Sequence, residues 1–330
     1  LYKRNRLLHK LLDNNYIDST TYRLSLLEEL PKKPFQLPDT APHLVQYLAK
    51  KYKGKRISTH VDENLQGSIN NIINKHYKSL KQNQVYNAAV LLMDVKTREV
   101  LSYVGNTPTD NEHEKDVDMV QANRSTGSVL KPLLYTAMMN AGELLPGMLV
   151  PDVPTQIAGY TPENFNESYS GAVEADKALA KSLNIPAVRL LRSYGLQKFR
   201  DQLDFFNLRG LDKSADHYGL TLILGGAESS LWDLCKTYAS LASTVNHFNA
   251  TSSEYYTKEF VEPIPTSETK VDFGAKSTEV TIFDAASIYL TFEAMKKVNR
   301  PEGSESWEFF DSSRQIAWKT GTSFGNKDAW

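Results

Sequence analysis

The chain is 330 residues long and nearly neutral, with 38 Lys and Arg against 39 Asp and Glu, and it is 41% hydrophobic and 23% charged. This balance is that of an ordinary globular protein, so it excludes a disordered chain and a membrane-spanning bundle and leaves no global electrostatic reason to bind nucleic acid. Cys235 is the single cysteine, so neither an intrachain disulfide nor a cysteine-based zinc site can form. The length exceeds the roughly 250–300 residues at which one core stops growing, which points to one large domain with a smaller attached piece.

Leu7, Leu8, Leu11 and Leu12 form one stripe of a helix over 2–13, and a second helix is expected to start after Asp18 as its N-cap. Pro31, Pro34, Pro38 and Pro42 follow, which cannot be helix interior and read as an extended connector, so residues 1–42 are expected to be a helical hairpin and linker before a domain at 43–330. Residues 57–60 predict a short strand. Leu65, Ile69, Ile72, Ile73 and Tyr77 predict a helix over 64–80. Residues 87–94 and 99–104 are apolar runs joined by Lys96-Thr97-Arg98, a hairpin whose continuous apolar character predicts a central strand buried on both faces. Helices are expected at about 128–141, 174–194, 227–245 and 282–297, and a last interior strand at 315–322. Strands flanking a helical middle predict an α+β fold, a mainly antiparallel sheet with a helical lobe.

The acidic loop 109–118 lacks the glycine and terminal glutamate of a calcium loop and reads as solvated surface. The seven histidines show no ligand spacing. No metal and no cofactor is expected.

Ser128 and Lys131 sit three residues apart at the start of an apolar helix, which puts hydroxyl and amine on one face. A hydroxyl becomes a useful nucleophile when a neighbour takes its proton, and a lysine can do so if burial and a second cation depress its pKa. Alone this spacing is weak, because Ser267 and Lys270 repeat it in a polar loop and Ser68-Ile69-Asn70 duplicates the Ser-x-Asn pattern considered next. Two further motifs strengthen it. Ser182-Leu183-Asn184 ends an Ala/Leu-rich helix before Pro186, and Lys319-Thr320-Gly321-Thr322 offers a cation, two hydroxyls and a glycine that permits close approach. A given tripeptide arises in a chain of this length with a chance of roughly 0.1 or less, so three in this order argue against coincidence.

The trio Ser-x-x-Lys, Ser-x-Asn and Lys-Thr-Gly is the known signature of penicillin-binding proteins and class A β-lactamases. With the flanking runs 124–132, 178–188, 224–228, 318–325 and Asp328-Ala329-Trp330, the chain resembles the transpeptidase domain of bifunctional class A penicillin-binding proteins, most nearly the 1C type, over about 43–330. Residues 1–42 resemble the tail of that family's glycosyltransferase domain, whose carboxylates would lie upstream. The resemblance implies a penicillin-binding/β-lactamase-like fold and cross-linking of peptidoglycan stem peptides ending in D-Ala-D-Ala. The same site would react with β-lactams, at the outer face of the cytoplasmic membrane. It implies Ser128 as nucleophile, Lys131 as base, Ser182 as proton carrier, Asn184 as holder of Lys131, and Lys319 as the source of a positive field. Thr320, Gly321 and Thr322 would form the carboxylate-binding wall, and the N–H groups of Ser128 and Thr322 an oxyanion hole. The family carries further strands after the Lys-Thr-Gly segment, so the chain is expected to continue beyond Trp330, and residues 1–330 alone to be open-edged and prone to self-association.

Three rivals remain in view. Gly321-Thr322-Ser323-Phe324-Gly325 matches the nucleophile elbow of α/β-hydrolases, but that fold needs a later histidine and the last one is His247. A β-lactamase or D,D-carboxypeptidase would hydrolyse the acyl-enzyme, and a sensor or scaffold would bind without turnover.

Overall fold

A computed structural model describes residues 2–29, 39–157, 159–165, 167–298 and 315–330, and the chain divides into two compact units, 1–40 and 41–330. In the first unit α1 (Tyr2–Asp13) and α2 (Ser19–Leu27) form a hairpin in which no residue is buried, and Asp18 caps α2 by accepting from the Thr21 N–H at 2.6 Å. The prolines at 31, 34 and 38 lie outside the described residues. Pro42 opens a helix that is not among the expected elements, α3 (Pro42–Lys51), at the N-terminal position where a missing N–H is harmless.

In the second unit α4 (Glu63–Leu80) crosses the hairpin of β1 (Val90–Met93) and β2 (Val100–Val104). The hairpin turn is closed by Asp94, whose carboxylate accepts from the N–H groups of Lys96 and Thr97 and is held below the usual carboxylate range chiefly by the Thr97 bond. β2 is the expected strand buried on both faces, with Val100, Ser102, Tyr103 and Val104 buried, whereas the four residues of β1 are half-buried or exposed. Fully buried Gln66 makes the junction of α4 with β2, accepting from the Tyr103 N–H (2.8 Å) and Ser102 Oγ (2.9 Å) and donating to the Tyr103 carbonyl (3.1 Å). Its amide stands in for a third strand.

The pairings continue with β3 (Arg124–Ser125) against β6 (Glu228–Ser229), β4 (Leu149–Asp152) against β5 (Gly171–Glu174), and β7 (Tyr255–Tyr256) against β8 (Lys276–Ser277). All these ladders are antiparallel. Among the described residues each contains two strands, and they do not join into one sheet. Residues 57–60 contribute one bridge, Thr59 to Thr266, and not a strand. Among the described residues 315–320 form no ladder, the Trp318 N–H donating to the Met295 carbonyl, and Thr322 makes a single bridge to Ala329, so the expected interior strand is not seen among them and residues 321–330 fold back on themselves.

The helical lobe holds the larger core. α5 (Lys131–Asn140) is buried at nine of its ten residues and packs against α6 (Ala175–Ala180), α7 (Asn184–Tyr194) and α11 (Ala285–Lys296). A helix apolar all round can only be central. α8 (Leu196–Asp204), α9 (Ala215–Tyr218) and α10 (Leu231–Ala250) complete the lobe. The expected helix over 174–194 is two helices broken at 181–183. Pro186 lies in the first turn of α7, a place it tolerates, whereas an unbroken helix would have put it in the interior. The expected 227–245 helix starts later, at Leu231, after β6 and the Ser230 cap, and α5 likewise starts three residues after Ser128. α8 and α9 have no counterpart among the expected elements.

Replacing Gln66 by Leu should destabilise the second unit by about 3 kcal/mol, because it leaves the buried Tyr103 N–H and carbonyl unmatched. Urea unfolding followed by tryptophan fluorescence measures this, and a loss below about 1 kcal/mol would mean that water or another group replaces the amide.

Candidate active site

Ser128 is half-buried in a tight turn between β3 and α5, where the Val129 N–H donates to the Thr126 carbonyl and the Lys131 N–H to the Ser128 carbonyl. Three segments shape that turn. On one side the Thr126 N–H donates to the Ala227 carbonyl, and Ser125 Oγ donates to the Gly225 carbonyl at 2.8 Å. Beneath it, Tyr238 Oη donates to the Val129 carbonyl at 2.6 Å. On the other side lies the 321–322 backbone. Gly127 has φ +50°, and a Cβ there would fall 2.6 Å from the Thr322 nitrogen; a Cβ on Gly321 would fall 2.8 Å from the Thr126 carbonyl oxygen. Both glycines are required by this approach of two backbones. Trp330 staples it, donating through Nε1 to the Ser125 carbonyl (2.7 Å) and through its N–H to the Gly321 carbonyl (2.8 Å). Among the described residues no acceptor takes the N–H of Ser128 or of Thr322.

Lys131 is fully buried, since it sits in the first turn of the central helix and its side chain runs into the break between α6 and α7. Its Nζ donates to the carbonyls of Ser182 (2.7 Å) and Leu183 (3.1 Å) and to Asn184 Oδ1 (2.7 Å). Burial first, and the nearby Lys319 charge second, push this amine well below the ordinary lysine range. The three acceptors pull the other way, because an ammonium has three N–H groups to give and a neutral amine has two. Ser128 Oγ makes no hydrogen bond to Lys131 in this arrangement.

Ser182 joins the two lysines: its carbonyl accepts from Lys131, and its Oγ accepts from Lys319 Nζ at 2.7 Å. Lys319 also donates to the Thr320 carbonyl, and burial lowers it from its ordinary 10.5 to about 8. The backbone explains how one residue faces both ways. Ser182 has φ +55°, its N–H donates to the Leu179 carbonyl, and the Leu183 N–H donates to the Ala178 carbonyl. These are the two bonds of a Schellman motif ending α6, whose left-handed position glycine normally fills. A serine there carries about 1–2 kcal/mol of backbone strain.

Asn184 begins α7, and its amide orientation is set by chemistry on both sides, with Oδ1 toward the Lys131 amine and Nδ2 donating to the Glu163 carbonyl at 2.8 Å. The structure thus brings Lys131, Ser182, Asn184 and Lys319 into one hydrogen-bonded group, with Ser128, Gly321 and Thr322 on the wall beside it. Thr320 is exposed and joins the group through its carbonyl. Ser267 and Lys270 lie in a separate turn, and Ser68 and Asn70 on α4. Ser323 is buried, its Oγ accepting from the Asp328 N–H at 2.8 Å as part of the 323–328 turn. Residues that the sequence motifs do not single out also belong to the site: Asn164, whose Oδ1 accepts from the Asn184 and Ile185 N–H groups, Asp152 behind it, and Tyr238. Tyr238 could have been suspected only from its place on the inner face of a long apolar helix, and Asn164 from nothing local.

Residues 88–329 match the family model described as the penicillin binding protein transpeptidase domain, and the chain belongs to that family. It is 27% identical to penicillin-binding protein 1C of Escherichia coli (strain K12), an alignment covering 99% of this chain and 40% of that protein. It is 24% identical to penicillin-binding protein 1B of Haemophilus influenzae, covering 100% of this chain and 43% of that one. The chain therefore spans about two-fifths of the length of these curated relatives. Among solved structures, penicillin-binding protein 1A from Haemophilus influenzae superposes with a TM-score of 0.70 at 15% identity, over 100% of this chain and 69% of that one. PonA1 from Mycobacterium tuberculosis gives 0.64 at 21% identity, over 88% and 77%. At these identities the structural likeness establishes the fold.

Ser182→Gly and Ser182→Ala both delete the hydroxyl, so their difference isolates the backbone strain. The glycine variant should be the more stable of the two by about 0.5–1 kcal/mol once its greater unfolded-state freedom is subtracted from the relieved strain. Equilibrium urea titration of the pair provides the comparison. An alanine variant as stable as the glycine one would mean that the left-handed conformation is not strained.

Proposed function

We propose that this chain carries a serine D,D-transpeptidase site that cross-links peptidoglycan stem peptides through an acyl-enzyme on Ser128. The observation that supports it most is the burial of the Lys131 amine beside a second cation, with Ser182 bridging the two. An amine so placed gives up its proton more readily than a surface ammonium and so can serve as a base. On this reading Ser128 Oγ attacks the carbonyl of the penultimate D-Ala while its proton passes to Lys131 Nζ. Before that, Lys131 has given up one proton, which releases one of its three acceptor contacts and leaves a lone pair. The N–H groups of Ser128 and Thr322, both without an acceptor among the described residues, would receive the developing oxyanion. As the C–N bond breaks, Ser182 Oγ gives its proton to the departing D-Ala nitrogen and takes in exchange the one that Lys131 received from Ser128, which leaves Lys131 neutral again. Lys319, with the Thr320 and Thr322 hydroxyls, binds the terminal carboxylate. An amine of a second stem then attacks the ester carbonyl, loses its proton to the same base, and expels Ser128 Oγ.

A β-lactam would acylate the same serine. The parent protein on this proposal faces outward from the cytoplasmic membrane, with residues 1–42 as the end of a glycosyltransferase domain. Among the described residues no helix is long and apolar enough to cross a membrane.

Incubation with a fluorescent penicillin, followed by mass spectrometry, should place the adduct on Ser128 and lose it in Ser128→Ala. Labelling that survives that substitution, or falls on Ser267 or Ser323, overturns the assignment. Lys131→Met should slow acylation by about 10²–10⁴-fold.

The pH profile of kcat/KM separates the two lysines. The acidic limb follows Lys131, which must be neutral. The basic limb should fall near pH 8, where Lys319 loses the charge that anchors the carboxylate. Lys319→Met should abolish the basic limb and, by removing a positive neighbour, raise the Lys131 pKa and move the acidic limb to higher pH. Unchanged limbs in that variant would show that Lys319 does not set the local field.

A further inference from the structure

We infer that Asn164, held by Asp152, is the positioning residue that fixes Asn184 and thereby the Lys131 amine, an inference that rests on the proposed acyl-transfer site. Asn164 is buried and uses all four hydrogen-bonding positions of its amide. Its Oδ1 accepts from the N–H groups of Asn184 (2.9 Å) and Ile185 (3.2 Å), and its Nδ2 donates to Asp152 Oδ1 (2.7 Å) and the Ser168 carbonyl (2.8 Å). The amide can face only this way, since the opposite orientation would aim N–H at N–H and oxygen at carboxylate.

The two N–H groups it receives belong to the first turn of α7, whose own flanking residue Leu183 supplies no side-chain cap. A cap is therefore delivered from 20 residues upstream, onto the very residue whose side chain holds Lys131. The adjacent Glu163 carbonyl takes Asn184 Nδ2, so two successive residues grip Asn184 by backbone and by side chain. Asp152 anchors the grip. It has no exposed surface, stands at the end of β4 opposite Gly171, and its Oδ2 accepts from the Ser170 N–H at 2.8 Å, closing the base of the loop between β4 and β5. The path from the β4–β5 hairpin to the amine is then Asp152, Asn164, Asn184 and Lys131, and each step is a hydrogen bond of 2.7–2.9 Å. Within Asn184 the path runs through covalent bonds, from the backbone N–H that Asn164 holds to the Oδ1 that holds Lys131.

A simple helix cap and a positioning residue predict different outcomes for an isosteric change. Asn164→Asp keeps an oxygen for the α7 N–H groups, so capping survives, but it sets two carboxylates against each other at the Asp152 contact. The double variant Asp152→Asn/Asn164→Asp restores a donor and an acceptor there, with the amide now at position 152 and the carboxylate at position 164.

The test measures the acylation rate constant and the dissociation constant for a fluorescent penicillin separately, with thermal melting on each variant. Asn164→Asp should acylate about 10²-fold more slowly, the order expected when a reacting group is displaced by about 1 Å, with penicillin binding little changed. The double variant should recover to within about threefold of the native rate. Native-like acylation by Asn164→Asp, or losses in both variants that match only the fraction unfolded at the assay temperature, would overturn the inference. Amide hydrogen exchange gives a second measurement that needs no activity: in Asn164→Ala the Asn184 and Ile185 N–H groups should exchange faster while those of α5 do not, and unchanged exchange there also overturns it. Failure of the native protein to label at Ser128 would instead refute the acyl-transfer reading, leaving the exchange result to judge the role of Asn164.

Discussion

An amine buried at the start of a buried helix is the constraint from which the surrounding architecture follows. Removing an ammonium from water without partners costs far more than a domain's whole stability, so the group must either find acceptors or lose its proton. Around Lys131 both tendencies are present. Three acceptors converge on Nζ, and burial together with Lys319 depresses its basicity. Two of those acceptors are main-chain carbonyls that would be spent inside a continuous helix. The chain must break where Lys131 arrives, and it breaks between α6 and α7.

The break has its own requirements. A left-handed residue at 182 turns one carbonyl toward Lys131 while its side chain meets Lys319, and that residue is a serine rather than the glycine that the backbone would favour. The strain is tolerated because the flanking structure over-determines the conformation: α6 closes with two Schellman bonds, and α7 starts under a cap from Asn164. Local stability is given up at the residue whose hydroxyl the proposed chemistry uses.

A second constraint is steric. The serine turn and the 321–322 backbone lie closer together than any two residues with side chains could, and Gly127 and Gly321 occupy the two contact points. Trp330 returns to bond both segments, so this fold-back of the chain helps to hold the wall beside Ser128. The proposed oxyanion site depends on this approach, because its two N–H groups come from the two segments.

The sequence alone makes the local chemistry legible. Ser128 and Lys131 three apart, Asp18 before a helix, Pro186 after Ser182-Leu183-Asn184, and the apolar runs at 87–94 and 99–104 each express a rule that acts over a few residues. The motif trio carries the family because chemistry holds those residue types at those places. What periodicity cannot express is where the buried amine's environment comes from. An Ala/Leu-rich run looks like one helix whether or not its carbonyls are needed elsewhere, so 174–194 reads as unbroken although it is not. Residues 315–322 have the pattern of a strand, although among the described residues only their end, at 321–322, is bonded across to 329–330. Asn164 and Asp152 stand in a polar loop and at a strand end, with no local pattern to mark them. Hydrogen-bond partners for a buried polar group are chosen by proximity in the packed chain, and proximity between residues far apart in sequence is decided only by the tertiary structure.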